Sequence, residues 1–369
     1  MKTGFIESFD KRKIWLYVWD NVKKPKAIVQ IFHGMAEHAG RYEEFAKMLN
    51  TKGYIVVADD HRGHGKTAGS VENIGKYDGS NIFYDTMHDE MFITKLITEE
   101  YKLPVFVFGH SYGSFIAQGY IELISQPISG VILCGSACMK DRIDIFLGRK
   151  IAKATMKHKG PDAPAKLVAK MSFGAYDRKV KKGSWLNTDE EEVKKYYADE
   201  YCGKTLSAKF YYNFFKALPR IYIKKNLKKI QKNLPILIIS GKQDPVGDMG
   251  KSVAKLFKLY NHLEMDVRMR LYNDARHEIL NEPIKNEVYN SILTFLEGYI
   301  VKASLGEKEF ERALRISETC KKRKWKLYTQ RKIAEKVTTA EDKLELLGKI
   351  EKILKTKDEE DFLNKLEEL

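Results

Sequence analysis

Gly109-His110-Ser111-Tyr112-Gly113 fits the pattern G-x-S-x-G. So short a pattern arises often by chance, and its flanks are what give it weight. VFVFGH, from Val105 to His110, reads as a short buried strand, and SYGSFIAQGYIELI leaves with helical periodicity. The glycines permit a sharp strand-to-helix turn that lifts the Ser111 hydroxyl above the end of a sheet. The helix that begins there points its free amides and positive dipole end at negative charge developing beside that hydroxyl. This is chemistry for attack on a carbonyl. The plain alternative is a glycine-rich turn and nothing more.

A serine hydroxyl is a poor nucleophile without an adjacent base. A protein that uses this turn is expected to supply an acid and then a histidine later in the chain, each just past a strand. Asp244 follows the run LPILIISGKQ, and His277 follows MDVRMRLYNDAR. Ser111, Asp244 and His277 therefore fit the roles of nucleophile, orienting acid and general base. Asp248 and Asp274 lie close enough to be rivals for the acid. His33, His38, His61, His64 and His110 fall in loops gathered near the same place, and they read as pins for those loops. The stretch Arg62 to Thr67 resembles a phosphate-binding loop, but that pattern requires glycine at position 60, where Asp60 stands. No G-x-G-x-x-G follows a strand, so no dinucleotide site is indicated.

These residues need a scaffold that brings strand ends together. KAIVQIF (26–32), YIVVADD (54–60), VFVFGH, GVILCGS (130–136), LPILIISGKQD and MDVRMRLYND read as buried strands, and helix-like stretches separate several of them. Apolar strands alternating with helices imply an α/β fold with a mostly parallel sheet covered on both faces. The N-terminal MKTGFIESFDKRKIWLYVWD reads as two further strands around a turn at Asp10-Lys11. Between 137 and 230 the alternation stops, and a helical stretch rich in Lys, Met, Phe and Tyr takes its place. The expected domains are a catalytic core of 1–136 with 231–302, an inserted helical lid of 137–230, and a charged helical extension of 303–369. In that extension Leu344, Leu347, Ile350, Ile353 and Leu354 share one apolar helical face, and Lys321 to Lys326 carry a basic run around Trp325.

Composition narrows the classes. With 43% hydrophobic and 11% aromatic residues over 369 positions, the chain can bury a large core. No apolar run reaches the roughly 20 residues of a spanning helix, and the N-terminus lacks a signal-like apolar stretch, which points to the cytoplasm. The four cysteines, Cys134, Cys138, Cys202 and Cys320, are too scattered for a disulfide framework or a zinc site. The formal charge of +15 favours anionic partners, but the lysines are spread along the chain with no nucleic-acid motif, so no nucleic-acid partner is expected.

Five spaced segments then carry a family resemblance. They are His33-Gly34-Met35-Ala36-Glu37-His38 with Arg41-Tyr42, Asp60-His61-Arg62-Gly63-His64-Gly65, GHSYG, Ser240-Gly241 with Asp244-Pro245-Val246, and Arg276-His277-Glu278. In this order, from about 26 to 300, the chain resembles the monoacylglycerol lipase and lysophospholipase branch of the α/β-hydrolases, a group that also takes in serine aminopeptidases. The resemblance implies an α/β-hydrolase fold and a serine hydrolase cleaving carboxylic or lipid esters through an acyl-enzyme on Ser111. It implies an oxyanion hole built from the backbone amides of Met35 and Tyr112, where losing one donor costs about 3 kcal/mol. It also implies a lid that shapes an acyl pocket, with Phe146, Phe173, Trp185, Phe210 and Phe214 as candidate lining, beside Met139, Ile145, Met171, Tyr211 and Phe215. No metal and no organic cofactor is called for. A peptidase of the aminopeptidase or proline iminopeptidase kind and a non-catalytic binding protein on the same scaffold are the alternatives. Thioester hydrolysis and acyl transfer would use the same triad. The basic run and amphipathic helix of the extension suggest peripheral contact with an anionic membrane, against a helical hairpin docked on protein. The oligomeric state is left open.

Overall fold

A computed structural model of the chain describes residues 1–124, 128–140, 142–180 and 182–305. The N-terminal strands β1 (Lys2–Glu7) and β2 (Lys13–Trp19) form a hairpin, and β3 (Ala27–Phe32), α1 (Glu43–Thr51), β4 (Tyr54–Asp60) and α2 (Ile82–Tyr101) follow. Next come β5 (Val105–His110), α3 (Tyr112–Leu123) and β6 (Gly130–Cys134). The insertion contributes α4 (Ile143–Lys159), α5 (Lys166–Lys179), α6 (Glu190–Ala198), α7 (Ala208–Ala217) and α8 (Lys224–Leu227). The chain returns through β7 (Ile236–Gly241), α9 (Lys251–His262), β8 (Val267–Tyr272) and α10 (Lys285–Leu305).

The strands form one eight-stranded sheet in the order β1-β2-β4-β3-β5-β6-β7-β8. The pairings β1–β2 and β2–β4 are antiparallel, and the other five are parallel. Every residue of β3 through β7 is buried, the uniform apolar pattern of strands covered by helices on both faces. From β3 the chain moves outward to β4 and then crosses back to β5 on the other side. Strand order thus reverses between β3 and β5, and the loops at their carboxyl ends splay apart into a crevice. The loops after β3, β5, β7 and β8 carry Met35, Ser111, Asp244 and His277 respectively.

Contacts divide the chain into two compact units, Met1–Phe295 and Leu296–Leu369. The lid helices belong to the first unit together with the sheet. The expected extension, 303–369, lies outside the described residues except for the end of α10. No helix among the described residues is long and apolar enough to cross a membrane.

The turn between β5 and α3 leaves no room. A Cβ on Gly113 would sit 2.0 Å from the Phe32 carbonyl oxygen and 2.6 Å from that of His33. Helix α3 therefore starts directly against the end of β3, and only glycine allows that approach. Gly113→Ala is expected to destabilise the fold by at least about 3 kcal/mol, because the obstacle is backbone rather than a side chain that can rotate away. A urea unfolding midpoint little changed from the parent would refute this.

Candidate active site

Ser111 occupies the turn with φ 51° and ψ −116°, a region that costs a non-glycine residue about 1–3 kcal/mol. Its neighbours hold it there. The Ser111 N–H donates to the Cys134 carbonyl at 3.0 Å, and the Ser114 hydroxyl lies 2.6 Å from the Ser111 carbonyl oxygen. Tyr112 opens α3, so its amide has no acceptor within the helix. The Met35 amide has no protein acceptor among the described residues.

Asp244 and His277 meet. His277 Nδ1 lies 2.9 Å from Asp244 Oδ2, both side chains being buried. Asp244 is itself fixed, accepting the Val246 amide at 2.8 Å and the Ser240 hydroxyl at 3.2 Å. A carboxylate facing Nδ1 keeps the proton on that nitrogen and leaves a lone pair on Nε2. The rivals stand elsewhere: Asp248 pairs with Lys179 at 3.0 Å, and Asp274 is exposed. Ser111 and His277 line the same cavity. Among the described residues no hydrogen bond joins their side chains, a contact that in enzymes without substrate is often long.

A buried ionic network braces the loops that carry these residues. The Glu37 carboxylate accepts the Gly34 amide at 2.6 Å and the Tyr42 hydroxyl at 2.8 Å, and it lies 3.2 Å from His110 Nδ1. Arg41 donates to Glu37 at 2.5 Å and, through both terminal nitrogens, to Glu278 at 2.7 and 2.9 Å. The loops after β3 and β8 and the residue before Ser111 are thereby joined. Burial alone would raise the Glu37 carboxyl, but Arg41 and His110 outweigh it and hold it well below the ordinary range. Burial pushes His110 down, and Glu37 reverses this, so the imidazole is raised.

The other histidines hold loops in place. His33 stacks on His61 at 3.9 Å between ring centroids, accepts the His61 amide at 2.9 Å, and lies 2.7 Å from the Gly34 carbonyl. His64 Nδ1 lies 3.1 Å from the Arg62 carbonyl, and His38 Nε2 lies 2.9 Å from Asp199. Asp60 accepts the amides of Ala39 and Lys66 at 2.9 and 2.7 Å, pinning its own glycine-rich loop. Two groups bring cation-ligating atoms together, His38 with Asp199 and Cys202, and Asp59 with His61 and Glu90. None of these six residues lines the cavities beside Ser111.

Two cavities open on Ser111. One, about 280 Å³, has a polar wall that includes Glu37, Lys170, Asp177, Tyr196, Lys204, Thr205, His277 and Glu278. The other, about 300 Å³, is lined by Phe115, Met139, Ile145, Val168, Met171, Phe214, Phe215 and Leu218, with Arg142, Asp144, Ser172 and Lys179 among its polar groups. Met35, Ser111, Phe173 and Trp185 border both. Phe173, Trp185 and Phe214 thus line cavities that Ser111 also lines. Phe146 and Phe210 do not. Phe146 is 50% exposed on α4, with Arg149 and Lys150 over its ring, while its neighbour Ile145 takes the inward position. Phe210 is buried against His64 and Tyr112, behind the cavity wall.

Removing Arg41 would leave Glu37 and Glu278 buried beside each other without their cation. Arg41→Leu is therefore expected to cost about 3–5 kcal/mol in urea unfolding at neutral pH. Lowering the pH protonates the stranded carboxylates and should recover part of the loss. An unchanged midpoint at neutral pH would contradict the bracing role.

Comparison with known proteins agrees with this geometry. Residues 23–284 match the family model described as serine aminopeptidase, S33. The chain is 26% identical over 307 residues to a monoglyceride lipase homolog of monkeypox virus, covering 81% of this chain and 98% of that protein. It is 27% identical over 289 residues to human monoglyceride lipase, covering 77% and 86%. A thermostable carboxyl esterase from Bacillus coagulans, solved in complex with glycerol, superposes with a TM-score of 0.74 at 28% identity, over 81% of this chain and 98% of that one. With its strand-end loops and reversed strand order in place, the chain belongs to the serine aminopeptidase S33 family of α/β-hydrolases.

Proposed function

We propose that this enzyme hydrolyses monoacylglycerol-type carboxylic esters through an acyl-enzyme on Ser111. The observation that carries the reading is the placement of Ser111 where the two cavities meet, with His277 lining one and the aromatic and aliphatic side chains of the lid lining much of the other. In acylation Ser111 Oγ bonds to the carbonyl carbon while its proton moves to His277 Nε2. That proton then goes to the departing alcohol oxygen, so the alcohol must leave on the side where His277 stands. The cavity that His277 lines accordingly takes a glycerol-like alcohol and the other, with Phe115, Ile145, Phe214 and Leu218 in its wall, takes the acyl chain, each buried methylene contributing about 0.8 kcal/mol. Asp244, 2.9 Å from Nδ1, stabilises the imidazolium. The amides of Met35 and Tyr112 receive the oxyanion. Water then enters on the alcohol side, and His277 activates it to release the acid.

The named activities of the monoglyceride lipases support an ester over a peptide. An aminopeptidase would need a free carboxylate to hold a substrate ammonium. Glu37 and Glu278, in the wall of the cavity that His277 lines, are already engaged by Arg41, which leaves Asp177 as the carboxylate such a substrate would have to use. The proposal includes peripheral contact with anionic membrane through the basic run Lys321 to Lys326, since lipid esters reside there. Replacing those lysines and Arg323 by serine should abolish pelleting with phosphatidylserine vesicles. Equal pelleting of both forms would remove this part.

The direct test is hydrolysis of p-nitrophenyl esters from acetyl to palmitoyl, run beside Ser111→Ala. Turnover should peak at a medium or long chain and fall by about 10⁴-fold or more in the variant. An optimum at acetyl would contradict the acyl assignment of the second cavity, and Ser111-independent turnover would contradict the mechanism.

A further inference from the structure

Trp185, between α5 and α6, is where the lid meets His277. The two ring centroids are 5.0 Å apart with 42° between planes, and Phe173 stacks on Trp185 at 5.6 Å and 11°. Trp185 is 7% exposed and His277 2%. Hydrogen bonds to backbone carbonyls flank the pair on both sides. The Arg276 guanidinium donates to the Ser184 carbonyl at 2.6 Å, and the Glu278 N–H donates to the Leu186 carbonyl at 2.8 Å. The residues before and after Trp185 are thus tied to the residues before and after His277. Tyr176 packs on the indole at 5.2 Å, and the Trp185 amide donates to Asp177 at 3.3 Å. The indole is held in register with the imidazole by polar bonds as well as by apolar packing.

We infer that Trp185 is a positioning residue for the reaction: its indole, docked against His277, stabilises the imidazolium formed in proton transfer and makes turnover depend on a seated lid. An aromatic ring attracts a cation within about 6 Å of its centroid. His277 becomes that cation when the Ser111 proton reaches Nε2, and returns to neutral when the proton passes to the leaving alcohol. The inference rests on the hydrolase reading above, because it needs His277 as the base. Burial by the same indole acts in the opposite direction, since desolvation disfavours charge. The other groups facing or near the imidazole are Asp244 after β7, His110 at the end of β5, Glu37 and Arg41 after β3, Glu278 and Arg276 beside it, and Tyr176 and Asp177 of the lid. All stay when position 185 is changed, so the direction of a pH shift separates the two effects of the indole.

The experiment measures kcat and KM for p-nitrophenyl octanoate from pH 5 to 9 in the parent, Trp185→Leu, Trp185→Phe, Ser111→Ala and His277→Ala, with melting temperatures for each. Trp185→Leu should lower kcat about tenfold, equal to about 1.4 kcal/mol, and because the indole also borders both cavities KM should rise as well. The acid limb of its profile should move to lower pH by about one unit, because the imidazolium has lost a stabilising partner. Trp185→Phe keeps an aromatic ring and should retain most of kcat with a smaller shift. An unmoved limb, a limb moving to higher pH, or a phenylalanine variant no better than leucine would overturn the inference. Should Trp185→Leu fail to fold, Trp185→Phe against the parent carries the same comparison. Ser111→Ala or His277→Ala as active as the parent would instead overturn the hydrolase reading.

Discussion

The turn that carries Ser111 is the constraint on which the rest of the molecule depends. A serine at φ 51° is held there only because the flanking chain has nowhere else to go: β5 enters between β3 and β6, and α3 leaves against the carbonyls of Phe32 and His33. That close approach fixes β3 as the neighbour of β5. The loop with Met35 is thereby set beside the first turn of α3, and Met35, Ser111 and Tyr112 line one cavity. The sheet's reversal of order between β3 and β5 opens the space a substrate needs at that point.

Charge does the finer fixing. Three loops from distant parts of the sequence reach the crevice, and Glu37, Arg41, Glu278 and His110 join them through charged hydrogen bonds in a buried setting. Such a network contributes little net stability over an apolar core, but it tolerates no missing member and so favours one arrangement of the loops. The lid is attached by the same means, through Arg276 and the Glu278 amide. An indole from the lid therefore rests on an imidazole from the sheet, and the cavities divide where they touch Ser111.

Much of this is legible in the sequence because burial writes itself into composition. The six-residue and seven-residue apolar runs became β3, β4, β5 and β7, and G-x-S-x-G fell at the junction of strand and helix. Asp244 could be separated from Asp248 and Asp274 only by contact. All three follow strands, and one of them touches His277. The lid was the least readable part. Ile145 and Phe146 are both apolar, and helical phase alone decides that one faces the cavity and the other solvent. Phe210 is buried, but behind Tyr112 instead of beside the substrate space. Phe115, Val168, Tyr176, Leu218 and Val246 line the second cavity without any local sign, because they come from four separate segments that only the folded lid and core assemble. Trp185 and His277 stand 92 residues apart, as do Ser184 and Arg276 beside them, and no periodicity announces their contact.

The central claim is that Ser111 is a nucleophile activated by His277. Treatment with a fluorophosphonate, followed by peptide mapping by mass spectrometry, tests it without reference to any substrate. The account predicts one adduct per chain, located on Ser111, formed rapidly by the folded parent and at least about a hundredfold more slowly by His277→Ala. An adduct on another residue, or equal labelling of the His277→Ala variant, would contradict it.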